Sequence, residues 1–243
     1  MIPDNTRVLP NQTAARVYGV FFLLAFLSYG SGSAIVATYA DGAQGLAGVF
    51  AHKSLYVAGF ILMAVVHSVV NIGLAVIMLP ILKPFAKTAA YGYFAAAVAA
   101  TVVAIVGALF LVLLVPLSAA FAAQNSDAAY FQTMAMVLKK GGFYAYQLGM
   151  TLWGLGGLML CYALYIARLV PRFLPVWGVF GYLVFIVGTM SEMFGYGIGV
   201  MLSAPGGLFE ITLSVWLIFK GFNAASSNAQ GRVLPISMQT TGI

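Results

Sequence analysis

The chain has 243 residues, of which 63% are hydrophobic and only 7% are charged, against roughly 25% charged residues in an ordinary soluble domain. A soluble fold of this size could not bury so much apolar surface, so the composition predicts an integral membrane protein with lipid as its solvent. The 11 Lys and Arg residues give a net charge of +6, but they are scattered between apolar runs without a basic stripe, which argues against nucleic-acid binding.

Six apolar stretches predict an all-α bundle of six transmembrane spans. They cover Arg16–Tyr39, Ser54–Leu79, Ala89–Val115, Phe143–Ala167, Phe173–Phe194 and a sixth stretch that ends at Phe219. Each of the first five holds the roughly 20 residues that cross about 30 Å of hydrocarbon. A sixth helix that began at Pro205 would span only about 22 Å, so it must begin earlier, thin the bilayer or sit tilted in protein.

The spans divide the chain into three parts. We expect a cytoplasmic N-terminal segment over residues 1–14, a transmembrane domain over 15–223, and a flexible, polar cytoplasmic tail over 224–243. The basic start and the small residues at 31–34 imitate a secretory signal, but the apolar run continues to Tyr39, so we interpret it as a span.

The longest connection runs from Pro116 to Gly142. Tyr130, Phe131 and Met134 recur there at helical spacing, which predicts a short helix on the membrane surface around residues 127–140. A lid over a cavity is the alternative, because long loops are often functional.

The distribution of Lys and Arg predicts the orientation. One side of a six-span arrangement receives eight cations: Arg7, Arg16, Lys83, Lys87, Arg168, Arg172, Lys220 and Arg232. The other side receives three, Lys53, Lys139 and Lys140. The excess predicts that the first side, which includes both termini, is cytoplasmic. We expect a multi-pass protein of the bacterial inner (plasma) membrane.

Small residues repeat at every fourth position of the third span. They are Gly92, Ala96, Ala100, Ala104 and Ala108. Such a face allows close backbone approach between helices in lipid, where the hydrophobic drive for association is weak. The neighbouring helix could belong to the same chain or to a second copy. Trp153, Trp177 and Trp216 are interpreted as packing and interfacial aromatics.

Polar side chains inside the spans are the candidate functional residues, because ionisable groups at this depth are costly. The candidate pocket comprises His67 and Asn71 in the second span, Gln147 in the fourth, and Glu210 in the sixth. Glu210 lies about 15 Å from Lys220 by helix rise, close to the depth of His67, which is its best candidate partner. If the sixth helix began at Pro205, the helix N-terminus would instead ease the charge of Glu210.

Recognisable catalytic and metal-binding patterns are missing from the sequence. There is no HExxH motif, Cys/His cluster or phosphate-binding glycine loop. The two histidines, His52 and His67, are about 22 Å apart along one helix, which disfavours a haem within one chain. We therefore expect no cofactor and no metal, and the sequence favours a non-enzyme.

Two C-terminal stretches carry a resemblance to a known family. Ala167–Gly178 (ARLVPRFLPVWG) and Pro205–Phe222 (PGGLFEITLSVWLIFKGF) resemble an uncharacterised bacterial family of six-span membrane proteins, domain of unknown function 4386. The opening of the first span, Ala15–Gly19, is similar too. The resemblance implies a fold and a membrane location, and it implies that Glu210 is a family feature, but it brings no substrate.

Two functions remain open from the sequence. In the first, the polar pocket binds or transports a small ligand or a proton, with Glu210 as the charged group. In the second, the protein is a structural or accessory subunit whose polar residues hold helices together or anchor a partner chain. Six spans are few for a stand-alone transporter, so we expect a homo-oligomer or a partner subunit in the lipid bilayer.

Overall fold

The computed structural model describes residues 11–123 and 128–223, and these are helical almost throughout. The helices are α1 (Gln12–Ala40), α2 (Leu46–Ala51), α3 (Lys53–Phe60), α4 (His67–Leu82), α5 (Lys87–Val112), α6 (Leu114–Ala123), α7 (Ala128–Ala167), α8 (Phe173–Met193) and α9 (Gly199–Phe219). A π-helical segment, Ile61–Val66, joins α3 to α4. The described residues contain no β-strand, so the predicted all-α class is confirmed.

Within the described residues, six continuous helical segments are long and apolar enough to cross a membrane, as predicted. They are Gln12–Ala40, Lys53–Leu82, Lys87–Ala123, Ala128–Ala167, Phe173–Met193 and Gly199–Phe219. Each span packs against its neighbour in the chain, and α9 packs back against α1. The six spans therefore form a closed ring around one shared core.

Hydrogen bonds join the two described ends of the chain. Gln12 Nε2 donates to the carbonyl oxygen of Phe222 at 2.8 Å, and its Oε1 accepts from the Phe222 amide at 3.0 Å. The Asn223 amide donates to the carbonyl oxygen of Leu169 at 2.7 Å, which brings the α7–α8 turn to the same end. Both described ends therefore lie at the same end of the bundle, as an even number of spans requires.

The helix predicted around residues 127–140 is the first part of α7 and continues unbroken into the fourth span. At 40 residues, α7 is about 60 Å long, twice the thickness of a hydrocarbon core. The prediction of a separate surface helix is therefore wrong: the helix does not end at Gly141 and Gly142. A Cβ at Gly142 would lie 3.1 Å from the Gly107 carbonyl oxygen, so these glycines permit close packing within a helix.

The small residues of the third span face α7 of the same chain. A Cβ built on Gly149 would lie 3.1 Å from the carbonyl oxygen of Ala100, and one on Gly156 would lie 3.0 Å from Cβ of Ala96. The side chain of Met159 covers Gly92. The two helices thus approach backbone to backbone over several turns, which is how van der Waals contact replaces the hydrophobic drive in lipid.

The last helix begins at Gly199, six residues before Pro205. This confirms the first of the three alternatives for the short sixth stretch. Glu210 consequently lies in the middle of α9, and its charge does not rest on the helix N-terminus, whose electrostatic effect fades within the first turn. Its partners come from other helices.

Candidate functional site

Glu210 is the only acidic residue among the described residues that is buried, with 8% of its surface exposed. Two neutral donors hold one of its oxygens. Trp153 Nε1 of α7 donates to Glu210 Oε1 at 2.9 Å, and Tyr182 Oη of α8 donates to the same oxygen at 2.7 Å. Through this one atom, Glu210 connects the fourth, fifth and sixth spans.

Glycines in three helices make room for this contact. The ring of Tyr182 lies directly against Gly157 of α7, where any Cβ would overlap the ring. Gly181 of α8 faces Gly206 of α9, and a Cβ at Gly181 would lie 2.9 Å from the Gly206 Cα. The close crossing of α8 and α9 brings Tyr182 to Glu210, and Gly157 leaves space for its ring.

The second oxygen, Glu210 Oε2, accepts no hydrogen bond from the described residues and is not among their fully enclosed unpaired polar atoms. Glu210 lines a cavity of ≈ 240 Å³, so Oε2 is the oxygen that is open to it. The carboxylate therefore has two environments: Oε1 is tied into the bundle, and Oε2 faces an internal space.

Aromatic side chains form a large part of the cavity wall. Seven of the 16 lining residues are aromatic: Phe22, Phe26, Tyr29, Tyr146, Trp153, Tyr182 and Phe185. Tyr29 and Tyr146 stack with ring centroids 5.3 Å apart, and Phe22 meets Trp153 edge-on at 6.0 Å. Four of the seven rings therefore pack in pairs within the wall.

Each helix contributes residues three or four positions apart, which lie on one helical face. On α9 these are Ser203, Gly207 and Glu210, and on α7 they are Tyr146, Met150 and Trp153. Ser203 and Glu210 are about 10 Å apart by helix rise. The cavity therefore runs along α9 for at least this distance.

The cavity is partly open to the outside of the described bundle. Its most outward-facing lining residues are Phe26, 39% exposed, and Gly30, both on α1. A Cβ at Gly30 or at Gly207 would meet no other atom within 4 Å. Phe26 and Gly30 therefore mark the outward-facing edge of the cavity.

His67 and Asn71 line the same cavity, so the structure brings three of the four candidate pocket residues together. His67 does not contact Glu210 through a hydrogen bond. Its Nδ1 lies 3.1 Å from the Ala25 carbonyl oxygen, which can only accept, so Nδ1 carries a proton and Nε2 is the free nitrogen. The π-helical segment before His67 packs closely on α1, where a Cβ at Gly32 would lie 2.6 Å from the Met63 amide nitrogen.

Gln147 is buried, with 7% of its surface exposed, but it is not a lining residue of this cavity. The neighbouring residue Tyr146 lines it instead, since adjacent helical positions differ by about 100°. Thr151, one turn after Gln147, pairs with Thr189 of α8 through their hydroxyl oxygens at 2.9 Å. Thr151 therefore faces α8.

Trp153 and Tyr182 are absent from the pocket that the sequence predicts. The sequence indicates only a packing role for Trp153, yet its Nε1–H is a buried donor that needs an acceptor. A carboxylate at similar depth was the available signal, because α7 and α9 each place one such residue near mid-span. Tyr182 carried no distinguishing pattern.

The other carboxylates of the described residues lie away from the cavity. Glu192 accepts the Gly199 amide through Oε1 at 2.6 Å and so caps the start of α9. Asp41 forms an ion pair with Lys139 at 2.9 Å, joining the end of α1 to α7. Within residues 11–123 and 128–223, no group of three His, Cys, Asp or Glu residues could hold a metal ion.

The fold and the site define a multi-pass α-helical membrane protein with a buried carboxylate beside an aromatic cavity. Residues 17–221 match the family described as Domain of unknown function (DUF4386), and the chain belongs to that family. The family resemblance of the two C-terminal stretches is thus confirmed. No curated protein and no solved structure matches the chain significantly.

Proposed function

We propose that the protein binds a small ligand in the cavity beside Glu210, as a transport-type or ligand-sensing membrane protein. The observation that carries the proposal is the free oxygen Oε2. Buried polar groups in a purely structural role are normally satisfied by partners in the protein. A carboxylate at lipid depth is also expensive to maintain, and here one of its oxygens is left for something that enters the cavity.

An accessory or structural role has its own support. The bonds from Trp153 and Tyr182 to Oε1 tie three spans together, as expected of an anchoring residue. That role explains Oε1 but gives no reason for an aromatic cavity at Oε2. Anchoring therefore explains the contacts of Oε1, and ligand binding explains why Oε2 has no partner among the described residues.

An assembly with a second copy or a partner subunit belongs to the proposal. The small-residue face of α5 is occupied by α7 of the same chain, so an oligomer would use another face. We further propose a bacterial inner membrane location with both termini cytoplasmic. Arg168 and Lys220 both lie at the end of the bundle where Gln12 meets Phe222, which supports a single basic side.

The test is mass spectrometry of small molecules retained by the protein purified in native lipid. Gly207→Leu places a side chain where the structure leaves open space, so it should fill the cavity without disturbing the fold. Ala99→Leu, on the outward face of α5, is the matched control. We expect a small molecule in the wild type and in Ala99→Leu that is lost from Gly207→Leu.

Identical contents in all three proteins would contradict ligand binding in this cavity. A partner chain that is retained by the wild type and lost on Glu210→Gln would favour the accessory role. The two functions thus give different results in one preparation.

A further inference from the structure

We infer that the ligand is a small organic cation, a protonated or quaternary amine with apolar substituents. The inference rests on the proposed ligand-binding function and specifies its chemistry. The charge balance of the site is the first argument. Across the described residues the single ion pair is Lys139 with Asp41, and no Lys or Arg lines the cavity. Glu210 therefore has hydrogen-bond donors but no counter-cation.

The wall supplies the second argument. Aromatic rings attract a cation to their faces, and several rings around one space are the known arrangement for quaternary ammonium groups. Phe22, Trp153 and Tyr182 line this cavity together with Glu210, and Tyr29 and Tyr146 stack on one another in its wall. A positive charge in the cavity would therefore have both aromatic rings and the carboxylate in the same wall.

The other polar lining residues add no Lys or Arg to balance a negative ligand. Asn71 and Ser203 are uncharged, and in neutral His67 with its proton on Nδ1 the nitrogen Nε2 is an acceptor. An anionic ligand would face Glu210 and this lone pair without a balancing cation. A bare metal ion would need several oxygen ligands, whereas the cavity offers one carboxylate and otherwise only uncharged oxygens.

The dimensions and the opening define the ligand further. A cavity of ≈ 240 Å³ lies below the roughly 300–1,000 Å³ of sites for drug-sized ligands, so the ligand is small. The outward-facing edge of the cavity, at Phe26 and Gly30, lies on a face of α1 that also exposes Leu27. An apolar edge of this kind favours a cation that carries apolar substituents.

The experiment compares two probes of matched shape in nanodiscs that contain the full chain. Benzyltrimethylammonium carries the charge, and neopentylbenzene replaces its nitrogen by carbon. Thermal stabilisation reports binding to the folded state. We expect the cation to stabilise the wild type, and Glu210→Gln to weaken its binding by about tenfold or more, the scale of one lost charge-assisted contact.

Gly207→Leu removes cavity binding of both probes and so separates it from partition into lipid. If neopentylbenzene binds as tightly as the cation, and Gly207→Leu abolishes both, the organic-cation inference is overturned while ligand binding stands. If neither probe stabilises the wild type, the inference is also overturned, and the retained-molecule experiment decides the proposed function separately. If the cation binds Glu210→Gln as tightly as the wild type, the carboxylate does not recognise the charge, and the organic-cation inference is overturned.

Discussion

The ring of Tyr182 rests on the backbone of Gly157, and its hydroxyl donates to Glu210 Oε1 at 2.7 Å. One contact therefore depends on the other: the ring reaches the carboxylate because residue 157 has no side chain. This relationship explains how a buried acid acquires partners from two neighbouring helices. A substitution at residue 157 should therefore disturb the site without changing any of its polar groups.

Gly157→Ala should displace Tyr182 and break its bond to Glu210. Overpacking of this kind costs about 1–3 kcal/mol, which a thermal unfolding scan in detergent would detect. Gly30→Ala is the matched control, because a Cβ there meets no atom within 4 Å and alanine favours a helix over glycine. Equal melting temperatures for the two variants would argue against the described position of Tyr182.

The two possible roles of Glu210 predict different costs for two substitutions. Glu210→Gln keeps a carbonyl oxygen for the donors Trp153 and Tyr182, so it should unfold at nearly the same temperature as the wild type. Glu210→Leu leaves both donors unpaired, at about 1–3 kcal/mol for each buried group. If Gln were as damaging as Leu, the negative charge itself would stabilise the fold, and its bonds to Oε1 would not be the explanation.

Trp153 and Trp216 should respond differently to the same substitution. Trp153→Phe removes a hydrogen bond to a carboxylate, a loss of about 1.5–3 kcal/mol beyond the smaller ring. Trp216→Phe removes an indole Nε1 that is buried without a partner in the described part of the chain, so only packing is lost. Comparison of the two melting temperatures checks this. A larger loss for Trp216→Phe would contradict the described hydrogen bond.

Close packing of α5 on α7 predicts a position-specific cost. Ala100 is 2% exposed and faces Gly149, whereas the adjacent Ala99 faces outward. Ala100→Leu should therefore destabilise the bundle by about 1–3 kcal/mol, and Ala99→Leu should change it by less than ~0.5 kcal/mol. The outcome that would contradict this packing is a destabilised Ala99→Leu beside an unaffected Ala100→Leu.

The fold was largely predictable because each span is an apolar run of sufficient length, and that property is local. The small-residue face from Gly92 to Ala108 was recognisable for the same reason. Its partner was not, since a smooth face fits a helix of the same chain or of another copy equally well. The helix predicted around residues 127–140 continues through Gly141 and Gly142. The low helix propensity of glycine is a weak effect compared with the tertiary contact that Gly142 makes with Gly107.

The sequence predicted which polar residues of the site lie at similar depth, but it did not predict which of them contact one another. Glu210, His67 and Asn71 share a cavity because costly polar groups at one depth tend to face inward. Which of them touch depends on helix rotation, and that is set by contacts such as Gly181 against Gly206. Adjacent helix positions point about 100° apart. For this reason Tyr146 lines the cavity, whereas the neighbouring Gln147, which the sequence favoured, does not.

A thiol introduced beside Glu210 shows whether this residue faces a cavity that small reagents can enter. Cys161, the single cysteine of the chain, is first replaced through Cys161→Ala, and Gly207→Cys then places a thiol one turn from Glu210. Its reaction rates are measured with a trimethylammonium-bearing methanethiosulfonate and with neutral methyl methanethiosulfonate. Both rates are taken on the folded protein in nanodiscs.

We expect both reagents to react, and we expect Glu210→Gln to lower the ratio of the cationic to the neutral rate by about tenfold, equivalent to ~1.4 kcal/mol. If the thiol reacts with neither reagent while the protein stays folded, the cavity beside Glu210 is not accessible. If Glu210→Gln leaves the rate ratio unchanged, the carboxylate does not attract a cation there.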